Sequence, residues 1–229
     1  MIDNRINGKV AVIASLFGLG LLAVGALRYM HLAGGDVPGI AAYATPLYIG
    51  LTIVVAILLV RTGVPLRRLG FGAPFRPWHF VMLAVAGVAV MRGVGWLLDP
   101  LWQQLFGGGR DLERFAGVAA SPAELVQLLA LSWTFAAFGE ELAFRILLLR
   151  GIAYGLGDSR VAFGIALVVQ AIVFGLVHAY QGPAGVAGTA INGLILGGLV
   201  LIARGSIWPA ALAHGLNNTV GILQLYWSG

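Results

Sequence analysis

Seven uncharged or nearly uncharged stretches dominate this chain, each long enough to cross a bilayer. About 20 apolar residues in a helix span the roughly 30 Å of hydrocarbon. Such stretches run over residues 10–27, 39–60, 80–98, 123–150, 161–180, 184–203 and 206–227, and charge interrupts the third, at Arg92, and the fourth. Backbone polar groups cannot stay unpaired in lipid, and strand-like alternation at barrel spacing is absent, so the stretches read as helices. The expected fold is all-α, a polytopic transmembrane bundle of seven to eight spans without a soluble domain. Composition agrees: 59% of the 229 residues are hydrophobic and 10% are charged, against about 45–50% and about 25% in soluble domains. A soluble enzyme, a disordered chain and a nucleic-acid module are excluded.

The net charge of +5 does not signal nucleic acid, because the basic residues are scattered between apolar runs, where they orient spans. Arg5 and Lys9 precede the first span, and Arg61, Arg67, Arg68 and Arg76 follow the second. Arg150 and Arg160 flank the turn after the fourth, and Arg204 lies between the last two. The alternate loops carry Asp99, Asp111 and Glu113. The positive-inside rule then places the N-terminus in the cytoplasm and, with seven spans, the C-terminus outside. The first span reads as a membrane helix and not a cleaved signal peptide, since its apolar core is long and no small-x-small site follows. Residues 100–117 read as an interfacial or re-entrant piece; an eighth crossing there would reverse the C-terminus. Thirteen of 14 basic residues are Arg, a bias that points to a GC-rich bacterial genome and thus to the bacterial cytoplasmic membrane. Cysteine is absent, which removes disulfides, thiolate metal sites and cysteine nucleophiles.

Ionisable groups inside a membrane cost about 2.5–3.5 kcal/mol each on insertion scales, so each asks for a partner or a function. They gather in the C-terminal half: Glu140, Glu141, Arg145, His178, Asn192, His214, Asn217 and Asn218. The N-terminal half has Arg92, which is expected to snorkel outward from the end of its span. The chain therefore divides into N-terminal helices and loops over 1–122 and a helical core over 123–229 that gathers the ionisable groups, within one membrane domain. Gly193 and Gly197 fit close packing between helices of the same chain.

Spacing sorts these groups by helix face. Glu141 and Arg145 are i,i+4 and can neutralise each other, as Phe174–His178 and His214–Asn218 also share faces. Glu140 is rotated by about 100° and is left without a local partner. Counted from their shared turn, Glu140 and His178 fall at similar depth. With His214 and Asn218 from the last span they can meet near the membrane centre or on its cytoplasmic side. Asn192 and Asn217 read as packing groups. A buried carboxylate beside a histidine is suited to general-base activation of water. A second histidine and an amide supply donors for an oxyanion. The nucleophile elbow, the H-E-x-x-H zinc motif and the P-loop are absent.

Three motifs occur in order: E-E-x-x-x-R from Glu140 to Arg145, F-x-x-x-H from Phe174 to His178, and H-x-x-x-N from His214 to Asn218. Together they resemble the CAAX-protease and bacteriocin-processing family (CPBP, or Abi), over about residues 123–225. The resemblance implies a metal-free and cofactor-free intramembrane glutamate endopeptidase. Glu140 and His178 would activate water, His214 and Asn218 would hold the oxyanion, and Glu141, Arg145 and Phe174 would support them. Its substrate would be a membrane-associated peptide or protein, with the lipid bilayer as the other partner. Two departures are Ile146, where the family usually has Gly, and Gln170-Ala171 in place of small hydroxyl residues. The residues leave three other readings open: an idle member of the fold that binds a partner, a haem held by His178 and His214, and a zinc site of Glu140, His178 and His214.

Overall fold

The computed structural model describes residues 4–33, 39–65, 67–119 and 121–228. Every regular element among them is helical. Helix α1 (Asn4–Leu32) leads through a short 3-10 turn into α2 (Ala44–Arg61), and a π turn (Arg67–Phe71) precedes α3 (Pro77–Phe106). A 3-10 segment (Glu113–Val118) leads to α4 (Pro122–Leu131). That helix continues through two π-helical stretches, Ser132–Glu140 and Leu142–Arg150, into α5 (Gly151–Gly155). Then come α6 (Arg160–Leu176), a 3-10 turn (Ala179–Gln181), α7 (Gly182–Ile202) and α8 (Trp208–Trp227). With α4 to α5 counted as one rod, the described chain makes the seven passes expected.

The outside of the bundle is apolar. Ile53, Val54 and Val60 on α2, Val81, Met82 and Val85 on α3, and Val161, Val168 and Ile172 on α6 are each more than half exposed. Such continuous exposed apolar surface is untenable in water, and lipid is the solvent it fits. Four helices are long and apolar enough to cross a membrane: Asn7–Leu32, Ala44–Arg61, Pro77–Phe106 and Ala179–Ile202. The α4–α5 rod is different. Ala143 to Leu149 are all buried, so this stretch of the rod is covered on every side by its neighbours, while Val126, Phe135 and Phe138 nearer its start are exposed. It is the post around which the others pack, and this placement shelters its charges from lipid.

Small residues set the close contacts. On α1, Val10, Ala14, Phe17 and Leu21 form a buried stripe at helical spacing, which lies on the rod at Gly151 and Gly155. A Cβ at Gly151 would sit 2.9 Å from the Ala14 methyl, and one at Gly155 2.5 Å from that of Ala11. Gly193 approaches Ala171, with 3.1 Å left for a Cβ, and Gly197 approaches Leu167. These are the intrachain contacts expected of that pair, and they join α7 to α6.

Two expectations are corrected. Residues 100–106 are not an interfacial piece; they are the last turns of α3, which continues through Pro100. At about 1.5 Å per residue a 30-residue helix reaches about 45 Å, well past the hydrocarbon. Arg92 does not snorkel. Its guanidinium turns inward, donating to the Asn217 carbonyl oxygen and, at 3.1 Å, to Gln224 Oε1. These acceptors on α8 hold it there, and it ties α3 to α8.

Candidate active site

Glu140 and Glu141 sit where the two π-helical stretches of the rod meet. A π-helix bonds i to i+5, a geometry that recurs at functional sites; the sequence carries no signal for it. The two carboxylates part ways as expected. Glu141 and Arg145 are 0% exposed and lie 3.0 Å apart. Glu140 faces a cavity of about 760 Å³ and keeps 19% of its side chain exposed.

The 3.0 Å contact joins Arg145 Nη1 to Glu141 Oε1, yet none of the guanidinium nitrogens makes a well-aligned hydrogen bond, and Glu141 Oε2 has no partner. Part of the compensation is the Phe174 ring, whose centroid lies 4.5 Å from the Arg145 guanidinium carbon. Glu141 also accepts a 2.9 Å hydrogen bond from His214 Nδ1. The sequence reading missed this bond, because it joins α8 to the rod across 73 residues. A carboxylate only accepts, so Nδ1 carries the proton and Nε2 is the atom that faces the cavity.

His178 is oriented by the same logic. Helix α6 stops at Leu176, and His178 lies on the turn that follows, before Gly182 at φ 73° redirects the chain. Its Nδ1 is 2.7 Å from the Phe174 carbonyl oxygen, which can only accept. Nε2 is thereby left bare and points to Glu140. The Phe174 ring packs edge-on against both imidazoles, with centroids 4.9 Å from His178 and 6.1 Å from His214. Phe174 is thus a wedge that fixes both rings.

Glu140 Oε1 lies 4.0 Å from His178 Nε2, and Glu140 Oε2 lies 3.9 Å from His214 Nε2. Both gaps exceed a direct hydrogen bond, yet one water bonded at about 2.8 Å to each side fits them. Asn218, one turn beyond His214, lines the same cavity. Asn192 and Asn217, read from sequence as packing groups, line it too. Tyr48 of α2 backs the site, donating to the Gly139 carbonyl oxygen at 3.3 Å. Gln170 is used in packing: it is fully buried and donates to the Gly193 carbonyl oxygen at 2.8 Å.

The cavity's direction differs from expectation. It runs from Glu140 toward the end of the bundle that bears Arg28, Arg110 and Arg114. The turns with Arg150, Arg160 and Arg204 are at the other end. Glu140 and His178 do lie level, as the count from their turn expected, but 18 to 20 residues of helix cover about 27–30 Å, nearly the whole hydrocarbon thickness, so they stand far from that turn.

No group of three His, Cys, Asp or Glu side chains among the described residues is arranged to hold a metal ion. A haem between His178 and His214 would need the space that the Glu140 carboxylate occupies.

No curated protein and no solved structure matches this chain. A family model does match, over residues 122–220, and its description is Rce1-like: type II CAAX prenyl endopeptidase Rce1-like. The matched stretch begins at the first residue of α4 and contains Glu140, Glu141, Arg145, Phe174, His178, His214 and Asn218. Within an integral-membrane bundle, residues 122–220 thus match the Rce1-like type II CAAX prenyl endopeptidase family.

Proposed function

We propose that the chain is an intramembrane endopeptidase that hydrolyses a peptide bond with a water activated by Glu140 and His178. One observation carries the reading: a single carboxylate faces the Nε2 atoms of two oriented histidines across gaps of 4.0 and 3.9 Å. In this reading the water donates one hydrogen to Glu140 and the other to the bare Nε2 of His178. Glu140 takes its proton as the oxygen attacks the carbonyl carbon. The oxyanion that forms is held by the Asn218 amide and by His214, which in this reading enters the step already protonated from solvent on both ring nitrogens, so that its Nε2 donates. The C–N bond then breaks, and the proton on Glu140 passes to the leaving amine. General-base help of this kind is worth about 10²–10⁴-fold. Glu141 and Arg145 do not touch the substrate; they hold His214.

The substrate in this reading is a membrane-associated peptide or protein. The rod and the helices after it, over 123–229, form the catalytic core, and 1–122 supply its lipid-facing walls. The charge asymmetry of the loops supports a cytoplasmic N-terminus in a bacterial cytoplasmic membrane. The test is a mass-spectrometric survey of new peptide ends in host membranes expressing equal amounts of wild type or Glu140→Gln. Ends found only with wild type support hydrolysis and name the substrate. Identical ends, with both proteins folded and abundant, overturn it.

A further inference from the structure

A second cavity, of about 490 Å³, lies between α3, α7 and α8. Arg92, Asn192 and Asn217 line both it and the catalytic cavity, so these side chains stand between the two. Trp96, Asp99 and Trp102 of α3 line the second cavity and not the first, and the proposed hydrolysis uses none of them. Arg110 reaches it beside Gly188 of α7, where a Cβ would stand 2.8 Å from Arg110 Nη2.

Depth decides what surrounds this cavity. Near the start of α3 Trp78 is more than half exposed, and Trp96 is 82% exposed. The 18 residues from one to the other rise about 27 Å, against roughly 30 Å of hydrocarbon. Tryptophan favours the two membrane interfaces, so α3 sets Trp78 in one and Trp96 in the other. Asp99 and Trp102 follow within two turns, at the level of the lipid headgroups. The mouth, with Trp96 and the exposed Leu97 beside it, faces lipid.

The lining carries both signs of charge. Asp99 and Arg110 are exposed, and the Asp99 charge acts on Arg110. Neither closes an ion pair with any group among the described residues. Trp96 and Trp102 each stand one turn from Asp99 and flank it. Pro100 inside the helix has no N–H, which denies the Trp96 carbonyl oxygen its usual donor. One turn from the Asp99 carboxylate there is thus a second acceptor, between two aromatic faces that attract a cation.

We propose that this cavity binds the headgroup of phosphatidylethanolamine. Arg110 takes the phosphate, and Asp99 with the Trp96 carbonyl oxygen takes the primary ammonium. The indole rings alone would hold a quaternary choline equally well; the two acceptors discriminate, because choline has no N–H to give them. A glycerol headgroup leaves the Asp99 carboxylate facing a phosphate without a cation between them. The lipid-facing mouth makes the source a membrane lipid and not a free phosphoethanolamine. The proposal goes beyond the protease reading and does not rest on it.

The test titrates full-length protein in detergent micelles with dihexanoyl phospholipids bearing ethanolamine, choline or glycerol, and native mass spectrometry counts the lipid bound. The site predicts that the ethanolamine lipid binds about tenfold tighter than either of the others. In Asp99→Asn that preference falls below about threefold, while the choline lipid binds no more weakly than to wild type. Gly95→Leu places a side chain in the open lining and abolishes the preference; Gly93→Leu, equally open but outside the lining, keeps it. That pair decides the matter if Asp99→Asn fails to fold. Equal binding of the three lipids, or tighter binding of the choline or glycerol lipid, overturns the proposal. So does an ethanolamine preference that survives in folded Asp99→Asn or Gly95→Leu protein. Glycerophosphoethanolamine, which lacks acyl chains, should bind at least about tenfold more weakly than the lipid; equal binding overturns the lipid source. None of these outcomes depends on peptide cleavage.

Discussion

Replacing Glu141 by Gln separates the two adjacent acids by what each does. Glu141 is 0% exposed and is the only carboxylate within ion-pair distance of the equally buried Arg145 among the described residues. Removing one partner of such a pair leaves an uncompensated buried charge, at a cost of about 3–5 kcal/mol. For a chain of this size each kcal/mol moves the melting temperature by about 2–4 °C, so the variant should melt about 6–20 °C lower. Glu140→Gln should shift stability by about 1 kcal/mol or less, because that carboxylate is partly exposed and no ion partner among the described residues comes nearer than 3.9 Å. Scanning fluorimetry of the six tryptophans in detergent micelles reads both. A Glu141→Gln/Arg145→Met double variant, with both charges removed, should recover part of the loss. The reasoning is refuted if Glu141→Gln melts with wild type, or if Glu140→Gln falls as far.

Three further outcomes follow from the packing and the site. Gly175→Ala puts a methyl 2.7 Å from the Val186 carbonyl oxygen and 2.8 Å from Ala190 Cβ; it should cost about 1–3 kcal/mol in detergent unfolding. Gly164→Ala, with nothing within 4 Å, should be neutral in the same assay. Arg92→Met removes the link to Asn217 and Gln224, and should loosen α8 by about 1–3 kcal/mol, read as faster hydrogen exchange in residues 214–225. A metal chelator should leave the rate of peptide cleavage unchanged; a loss that added zinc restores would favour a metal site of Glu140, His178 and His214.

What could be read from sequence was local or compositional. The lipid-facing bundle was legible because apolar runs longer than a bilayer have few other uses. The separate fates of Glu140 and Glu141 were legible because Arg145 stands one turn from only one of them. Contacts between helices were not. The bond from His214 to Glu141 joins α8 to the central rod, and the inward turn of Arg92 depends on acceptors that α8 presents. Sequence gives neither the neighbour nor the rotation. The π-helical stretches went unseen because apolar residues fill them as they would an α-helix. Arg28 and Arg114 carry no spacing signal that links them; only the fold brings both over the Tyr180 ring. His178 was placed inside a span because Val177 and Ala179 extend the apolar run, whereas the helix ends one turn earlier at the bend before Gly182.

The central claim is that Glu140 activates the water that cuts the peptide. Its most direct test is single-turnover cleavage, by purified wild type and Glu140→Gln, of a peptide taken from the new ends in the membrane survey. The account predicts a rate about 10²–10⁴-fold lower in the variant, at matched peptide affinity and matched melting temperature. Cleavage at the wild-type rate by a folded Glu140→Gln protein would contradict it.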